Sequence, residues 1–485
     1  MTSFRADDVT LERVEENVWE IPREGDMRVA ARVFASESLL EAIADDKTLQ
    51  QLENTTHLPG IVEPAICMPD GHQGYGFPVG GVGAIDADDG CISPGAVGYD
   101  INCGVRMVRT SLTYDDLRGR ESDLVDRLFE AIPSGLGGGG VVETDRETVD
   151  EILDRGVEWA VDNGYGVADD LTHCEDEGRR PDADPDAVTT DAKARGKDQV
   201  GSLGSGNHFL EVQRVTDVYR PEVASAFGLE ADQVVVLIHC GSRGLGHQTC
   251  TDYLRKIERR HGDLLERLPD RELAAAPSGS VLAADYYGAM CAAINFAWVN
   301  RQLIMHRTRQ VFEDVFDRSW RDLGMDLLYD VAHNIAKRET HSVNGDDRDL
   351  YVHRKGATRA FPAGHPDVPA AYRDVGQPVI IPGSMGAGSY VLRGGDRSLD
   401  RSFGSTAHGA GRVMSRTRAK DQFRGGDVQH ALREQHIYVR ARSGATVAEE
   451  APGVYKDVDE VVRVSDALGI GDTVARTYPV CNIKG

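Results

Sequence analysis

Asp100 and Cys103 stand three positions apart in PGAVGYDINCGVR, where Pro94, Gly95, Gly98 and Gly104 mark irregular backbone. A three-residue offset in a turn can aim two side chains at one point. A carboxylate beside a thiolate is a mixed hard and soft ligand pair, better suited to a divalent transition metal than to Mg or Ca. Read alone, the pair serves equally as a buried structural thiol and a turn-capping carboxylate. Three histidines have comparable settings: His208 enters the apolar run FLEVQ, His239 ends VVVLI, and His333 follows LLYDV. Each singly reads as a satisfied core histidine. Together with Asp100 and Cys103 they supply enough ligands for two metal ions if the thiolate bridges, and a two-metal centre holding phosphate oxygens is a familiar design for displacement at phosphorus. No HExxH or CxxC occurs, so spacing alone leaves the convergence of these residues open.

A second stretch, FGSTAHGAGRVMSR (403–416), sets His408 among small residues, with Arg412 and Arg416 following and no acid. Small neighbours let a large ligand approach the backbone, and arginine suits a phosphate. The plain alternative is a surface turn with a solvated imidazole. Signals for phosphate elsewhere are diffuse. The absence of GxxxxGK[ST] excludes P-loop chemistry. None of the nine lysines lies in K-x-D-G, the lysine nucleophile of ordinary ligases and capping enzymes. PGSMGAGSY (382–390) offers Ser384, Ser389 and glycine N–H groups as a phosphate cradle or as a simple turn. Lys484 is the penultimate residue, where chains usually fray.

These residues need elements to hold them. Apolar periodicity predicts helices over 37–54, 121–132 and 288–316, the last with a stripe of Ile294, Trp298, Met305 and Phe312. His306 neighbours that stripe and reads as structural. Short apolar runs predict strands at 79–85, 209–213, 234–238, 327–331 and 378–382. The order is neither a regular βαβ alternation nor all-β, so the class is α+β. The acidic segment CEDEGRRPDADPDAVTTDAKARG (174–196) reads as an exposed loop. No run of about 18 apolar residues is present, and no secretory leader opens the chain. The eight cysteines form no framework, which points to reduced thiols in a cytosol. Net charge is −25, with nine lysines against 45 arginines, as expected of a surface adapted to a high-salt cytoplasm.

Taken together, the stretches resemble the RtcB family of RNA-splicing ligases. The resemblance rests on PDGHQGYGFPVGGV (69–82), GYDINCGVR (98–106), GSGNHFLEVQ (204–213), HCGSRGLGHQ (239–248), DVAHNIAK (330–337), PGSMGAGSY (382–390), TAHGAGR (406–412) and the ending NIKG (482–485). It covers essentially the whole chain and implies a single ligase domain over 1–485 of α+β type, a mixed β-sheet core with flanking helices around a deep dimetal cleft. With the charge pattern it implies a halophilic archaeal source.

The implied activity joins an RNA 3′-phosphate or 2′,3′-cyclic phosphate to a 5′-hydroxyl using GTP and two Mn²⁺, in tRNA splicing and RNA repair. Asp100, Cys103 and His208 resemble the ligands of one ion; Cys103, His239 and His333 resemble those of the other. His408 matches the histidine that takes GMP covalently. Asn207, His208, Phe209, Leu210, Glu211, His333, Asn334, Pro382, Gly383, Ser384, Met385, Ser389, Gly409, Ala410, Gly411 and Lys484 are the implied nucleotide contacts. Arg243, Lys355 and Arg416 are assigned to RNA phosphates, with solvated surface charge as the alternative. The implied partners are RNA, including tRNA halves, and archease as activator, in the cytoplasm and without a membrane. A monomer is expected.

Two rivals remain at this stage. A dimetal cyclic phosphodiesterase needs the ligands but neither His408 nor a guanine pocket. A metal-stabilised RNA-binding scaffold gives no turnover with GTP. The ligase reading carries a specific expectation for the tail: Lys484 folds back into the cleft, and its removal with Gly485 leaves thermal stability nearly unchanged.

Overall fold

The computed structural model describes residues 2–135 and 139–485. Among them the backbone builds two large mixed sheets. The first runs in the order Ser3–Ala6, Val9–Glu15, Val18–Ile21, Ala31–Phe34, Ala65–His72, Val79–Asp86, Asp346–Lys355 and Asn334–Val343, antiparallel except where Ala31–Phe34 meets Ala65–His72. The second runs Asp326–Ala332, Gly104–Thr113, Gln233–Cys240, Phe209–Val218, Gly471–Lys484, Ser389–Gly394 and Pro378–Ile381, with Tyr438–Ala441 parallel to Gly471–Lys484.

Four of the five apolar runs lie in the second sheet and become strands because both its faces are covered; the fifth, 79–85, joins the first sheet as Val79–Asp86. In Gln233–Cys240, Val234, Val236 and Ile238 enter the core packed on the helix Val281–Phe316, while Val235 and Leu237 enter a separate core on the other face. That is the two-residue alternation of a pleated strand. The helix Val281–Phe316 is longer than its apolar stripe, because Ser280 caps it by accepting from Ala283 N–H and starts it seven residues earlier than 288. His306 lies half-buried on it, edge-on to Tyr165.

Two expectations fail locally. The segment 37–54 forms two helices, Glu37–Ala44 and Thr48–Thr55, because Asp46 Oδ1 accepts from Thr48 N–H at 2.8 Å and starts a new helix. The acidic segment 174–196 is not a plain exposed loop. Glu175 is fully buried and Asp176 partly so, paired with Lys337, Arg180 and Arg359, and Thr190–Lys197 forms a helix. Each buried carboxylate has a cation from a distant part of the chain, which removes the penalty that composition alone suggests. No helix among the described residues is long and apolar enough to cross a membrane.

Candidate dinuclear metal centre and cleft

Four neighbouring strands of the second sheet bring the ligands together at one end. Ala332 pairs with Gly104, Val105 with His239, and His239 with Phe209. Cys103 and His208 each stand just before a strand, His239 near the end of the antiparallel strand between them, and His333 just after a strand. Antiparallel register thus places residues from four remote stretches on one edge. The same edge carries Lys484, paired with Phe209.

The ligand atoms of Cys103, His239 and His333 lie within 4.8 Å of one another, as do those of Asp100, Cys103 and His208. Cys103 is common to both groups: its Sγ is 3.5 Å from His208 Nε2 and 3.3 Å from His239 Nε2. His208 Nδ1 donates to the Leu203 carbonyl at 2.9 Å, which directs Nε2 at Asp100 Oδ2, 2.8 Å away; against burial, the Cys240 and Cys103 sulfurs and Asp100 hold this ring well above the ordinary imidazole range. His239 Nε2 and His333 Nε2 face each other at 3.3 Å. Burial, reinforced by cationic neighbours, holds both rings well below the ordinary imidazole range, so they are neutral and available as ligands. Asp100 is held down despite burial, chiefly by His208. Burial pushes the Cys103 thiol up to about 12, so a thiolate there needs a cation beside it. Asp100 Oδ1 and His333 Nδ1 are buried without a hydrogen-bond partner. Two neutral imidazoles, a third ring whose Nε2 proton an ion would displace, a carboxylate with a bare oxygen and a shared sulfur fit two divalent transition ions.

The long helix braces this edge from behind. Arg301 is fully buried and donates to the carbonyls of Asn102 at 2.8 Å and Cys240 at 2.6 Å, residues adjacent to Cys103 and His239. Asp330 accepts from Arg301 at 2.8 Å and from Arg106 at 2.7 Å, balancing the buried charge. Asn102 adopts a left-handed φ of 53°, and its side chain is held by Arg301 and the Ile294 carbonyl.

His408 follows the short strand Ser405–Ala407 and faces the centre, its ring 4.8 Å from that of His333. The feature that composition did not reveal is Asp70, fully buried in Ala65–His72. Its Oδ2 accepts from the backbone N–H of His408 at 3.0 Å and of Gly409 at 3.2 Å, and lies 2.5 Å from His408 Nδ1. The Nδ1 contact is close but off the hydrogen-bonding angle, an electrostatic contact more than an aligned bond. Burial alone would raise the Asp70 carboxyl; His408 outweighs it and holds it below its ordinary value. With Nδ1 at Asp70, Nε2 is the ring nitrogen left for chemistry. Gly356, at φ +63°, leaves the room His408 occupies: a Cβ there would meet His408 Cε1 at 3.1 Å.

A cleft of about 1080 Å³, its open mouth included, joins these parts. Asn207, Phe209, Asn334, Pro382–Met385, Gly409–Gly411 and Lys484 line it, together with Lys355 and Arg416. Leu210, Glu211 and Ser389 do not line it but stand behind the wall. Glu211 holds Asn482 and Gln213, and burial raises its carboxyl to about 7 against the pull of Lys484 and those amides. Ser389 Oγ accepts from Gly383 N–H at 3.3 Å and from Gln213 at 3.1 Å, shaping the loop. Lys484 is buried in its strand, with Nζ 4.9 Å from the Phe209 ring centre and 3.7 Å from Glu450 Oε2.

Of the basic residues, Arg416 is exposed at the mouth, 3.4 Å from Asn207 Oδ1. Lys355 is buried and gives its ammonium to the Tyr75 and Gly95 carbonyls at 2.6 and 2.9 Å. Arg243 packs on Gly204, with Nη1 3.3 Å from His208 Nδ1, outside the cleft lining. Arg412 is committed to Glu450 at 3.0 Å and the Glu449 carbonyl at 2.8 Å over the Tyr455 ring, and so is no free phosphate ligand.

The chain resembles known proteins over nearly its whole length. A family model described as "tRNA-splicing ligase RtcB" matches residues 51–485. A tRNA-splicing ligase RtcB of Thermococcus kodakarensis is 56% identical over 478 residues, covering 98% of this chain and 99% of that one. Proteins of the same name from Aeropyrum pernix (52% over 477 residues; 98% and 99% covered) and Nanoarchaeum equitans (50% over 479 residues; 99% and 100% covered) are similar throughout. On sequence blocks, fold and full-length relatives alike, the chain belongs to the RtcB family of tRNA-splicing ligases.

Proposed function

We propose that this RNA ligase of tRNA splicing is GTP- and Mn²⁺-dependent, joins RNA 3′-phosphate or 2′,3′-cyclic phosphate ends to 5′-hydroxyl ends, and carries GMP on His408. The observation that supports this reading best is His408 held at Nδ1 by the buried Asp70 while lining the cleft beside two ligand trios. A hydrolytic phosphodiesterase needs neither a covalent carrier nor a guanine pocket, whereas here the oriented imidazole adjoins the nucleotide-sized cleft wall of Pro382–Met385 and Gly409–Gly411. Asp100, Cys103 and His208 would hold one ion and Cys103, His239 and His333 the other. When bound, the ions supply positive charge for phosphate oxygens and the pyrophosphate leaving group.

His408 does the covalent work. Asp70 keeps the proton on Nδ1 and stabilises the cation that develops as Nε2 attacks the α-phosphorus of GTP, expelling pyrophosphate. GMP then passes to an oxygen of the RNA 3′-phosphate. The resulting anhydride leaves the 3′-phosphorus open to the 5′-hydroxyl, which forms the new diester as GMP departs. A cyclic phosphate is first opened by water to the 3′-phosphate. The loops Pro382–Met385 and Gly409–Gly411 give backbone N–H groups and small side chains to the nucleotide, and Lys484 adds a cation on the Phe209 side. Glu211 acts from behind the wall, through Asn482, Gln213 and the strand bearing Lys484. Arg416 is the basic residue best placed for RNA phosphate; Lys355 and Arg243 order the wall and His208. We place this activity in the cytoplasm, in one domain over 1–485, with archease as an activating partner.

The test is turnover. Purified protein with GTP and Mn²⁺ should seal a 3′-phosphate strand to a 5′-hydroxyl strand and should fail with a 3′-hydroxyl strand. Sealing without GTP, or of the 3′-hydroxyl strand, contradicts the reading.

A further inference from the structure

The rings His208, His239, His333 and His408 follow one another along the centre at 5.7, 5.0 and 4.8 Å between centroids. His408 stands at one end, beside Pro382 and Gly409–Gly411. The other end is the Asp100–His208 side, and the residue preceding Asp100 is Tyr99. Tyr99 is half-buried and lines the cleft. It stacks on exposed His247, 4.9 Å between centroids at 25°, and Tyr75 braces it edge-on at 5.3 Å. Tyr75 is itself fixed, since its carbonyl holds the Lys355 ammonium at 2.6 Å and the next residue, Gly76, donates its N–H to Glu272 at 2.8 Å. An aromatic ring that is rigidly backed, faces a polar cleft and adjoins a metal ligand has more surface than its packing uses.

We propose that the Tyr99–His247 stack is a platform for an unpaired nucleobase at the broken RNA end, one residue from the Asp100 trio. The inference rests on RNA being the substrate. At a net charge of −25 the surface is acidic overall, and among the described residues lining the cleft Arg416 is the exposed cation. Counterion release weakens with salt, whereas base–aromatic stacking is tolerant of both sequence and salt. The platform supplies the part of RNA affinity that this acidic surface cannot. It also divides the cleft between its two substrates, with guanine nucleotide at the His408 end and the RNA base at the Tyr99 end.

The experiment is fluorescence anisotropy of short single-stranded RNAs on Mn²⁺-loaded protein without GTP, over a range of salt. One RNA ends in a 3′-phosphate and one begins with a 5′-hydroxyl; each has a counterpart abasic at the terminal nucleotide. Tyr99→Ala should bind at least one intact strand about 5- to 150-fold more weakly, the span of a single base–aromatic stack, while Tyr99→Phe stays within about twofold of wild type. His247→Ala should weaken the same strand. The abasic strand should bind wild type and Tyr99→Ala alike. Arg416→Ala should lower the salt slope by about one, and Tyr99→Ala should leave it unchanged. Metal content is measured on every variant. Equal binding of both intact strands by wild type and Tyr99→Ala overturns the platform. So does a loss that persists with the abasic strand, which would make Tyr99 a support for Asp100. If wild type binds neither strand, the RNA reading fails with it, a result distinct from either of these.

Discussion

Asp70 gives the most specific handle on how His408 works. One of its oxygens, Oδ2, gathers three groups of the His408 loop: two backbone N–H groups at 3.0 and 3.2 Å and the ring Nδ1 at 2.5 Å. The other, Oδ1, is buried without a partner. Asparagine can keep its oxygen where the three converge and put its NH₂ at the idle position, so Asp70→Asn removes charge and keeps the acceptor. Alanine removes the acceptor as well. Nδ1 makes no aligned bond to Asp70 at rest; the contact tightens as charge develops on the ring, where a hydrogen bond to a charged group contributes about 1.5–3 kcal/mol and its neutral counterpart about half of that. Asn should therefore slow GMP transfer to His408 roughly 3- to 15-fold and Ala roughly 10- to 150-fold, at about 1.4 kcal/mol per tenfold. Ala also leaves two buried amides unsatisfied, at about 1–3 kcal/mol each, so its stability falls by roughly 2–6 kcal/mol, while Asn keeps that acceptor but buries an unpartnered NH₂ and loses about 1–3 kcal/mol. The assay is single-turnover formation of the protein–GMP adduct at saturating Mn²⁺ and GTP, with thermal melts alongside. An Asp70→Ala protein that stays folded and forms adduct at the wild-type rate refutes the orienting role. Equal rates for Asn and Ala refute the division between charge and acceptor.

Three further outcomes are expected. Cys103 belongs to both trios, so Cys103→Ala should lower the metal content of both sites and His333→Ala of one; mass spectrometry showing two ions in Cys103→Ala sinks the shared thiolate. Burial raises Glu211 from 4.5 to about 7, so the folded protein holds a proton there that the unfolded chain releases between those values, and this group's contribution to stability falls as pH rises from 4.5 to 7 and is level above. Glu211→Gln should gain on wild type between pH 5 and pH 8, by on the order of 3 kcal/mol in melts at the two pH values, and no relative gain contradicts it. Lys484→Met should slow adduct formation about tenfold or more with metal content intact, the scale of one charge-assisted contact, and an unchanged rate would make Lys484 an ordinary strand residue.

That last test replaces deletion of the tail. From sequence, the tail is expected to fold back into the cleft and its loss to spare stability. Lys484 instead pairs with Phe209 and Ala441 inside the second sheet, so removing it with Gly485 strips backbone bonds from the strand beside His208. The candidate ligands stood out because histidines beside apolar runs mark strand ends. What spacing could not show is the antiparallel register that lines those ends up. Asp70 was legible only by implication: an imidazole nucleophile needs an acceptor for its second nitrogen, and the loop around His408 contains no acid. The acceptor comes from 338 residues away. Arg301, Asp330 and the carboxylates at 175 and 176 were opaque for a related reason, since a buried charge is recognised by its partner and the partner is set by tertiary packing. Asp46 was read as a helical residue because periodicity does not register a side chain that accepts from the first backbone N–H of a new helix.

The central claim is that His408 carries the nucleotide. Incubation with α-labelled GTP and Mn²⁺, followed by denaturing electrophoresis and peptide mapping, tests it most directly. The account predicts one covalent GMP on the peptide containing His408, labile to acid, stable to base and absent from His408→Ala. Label on another residue, or label that survives His408→Ala, contradicts it.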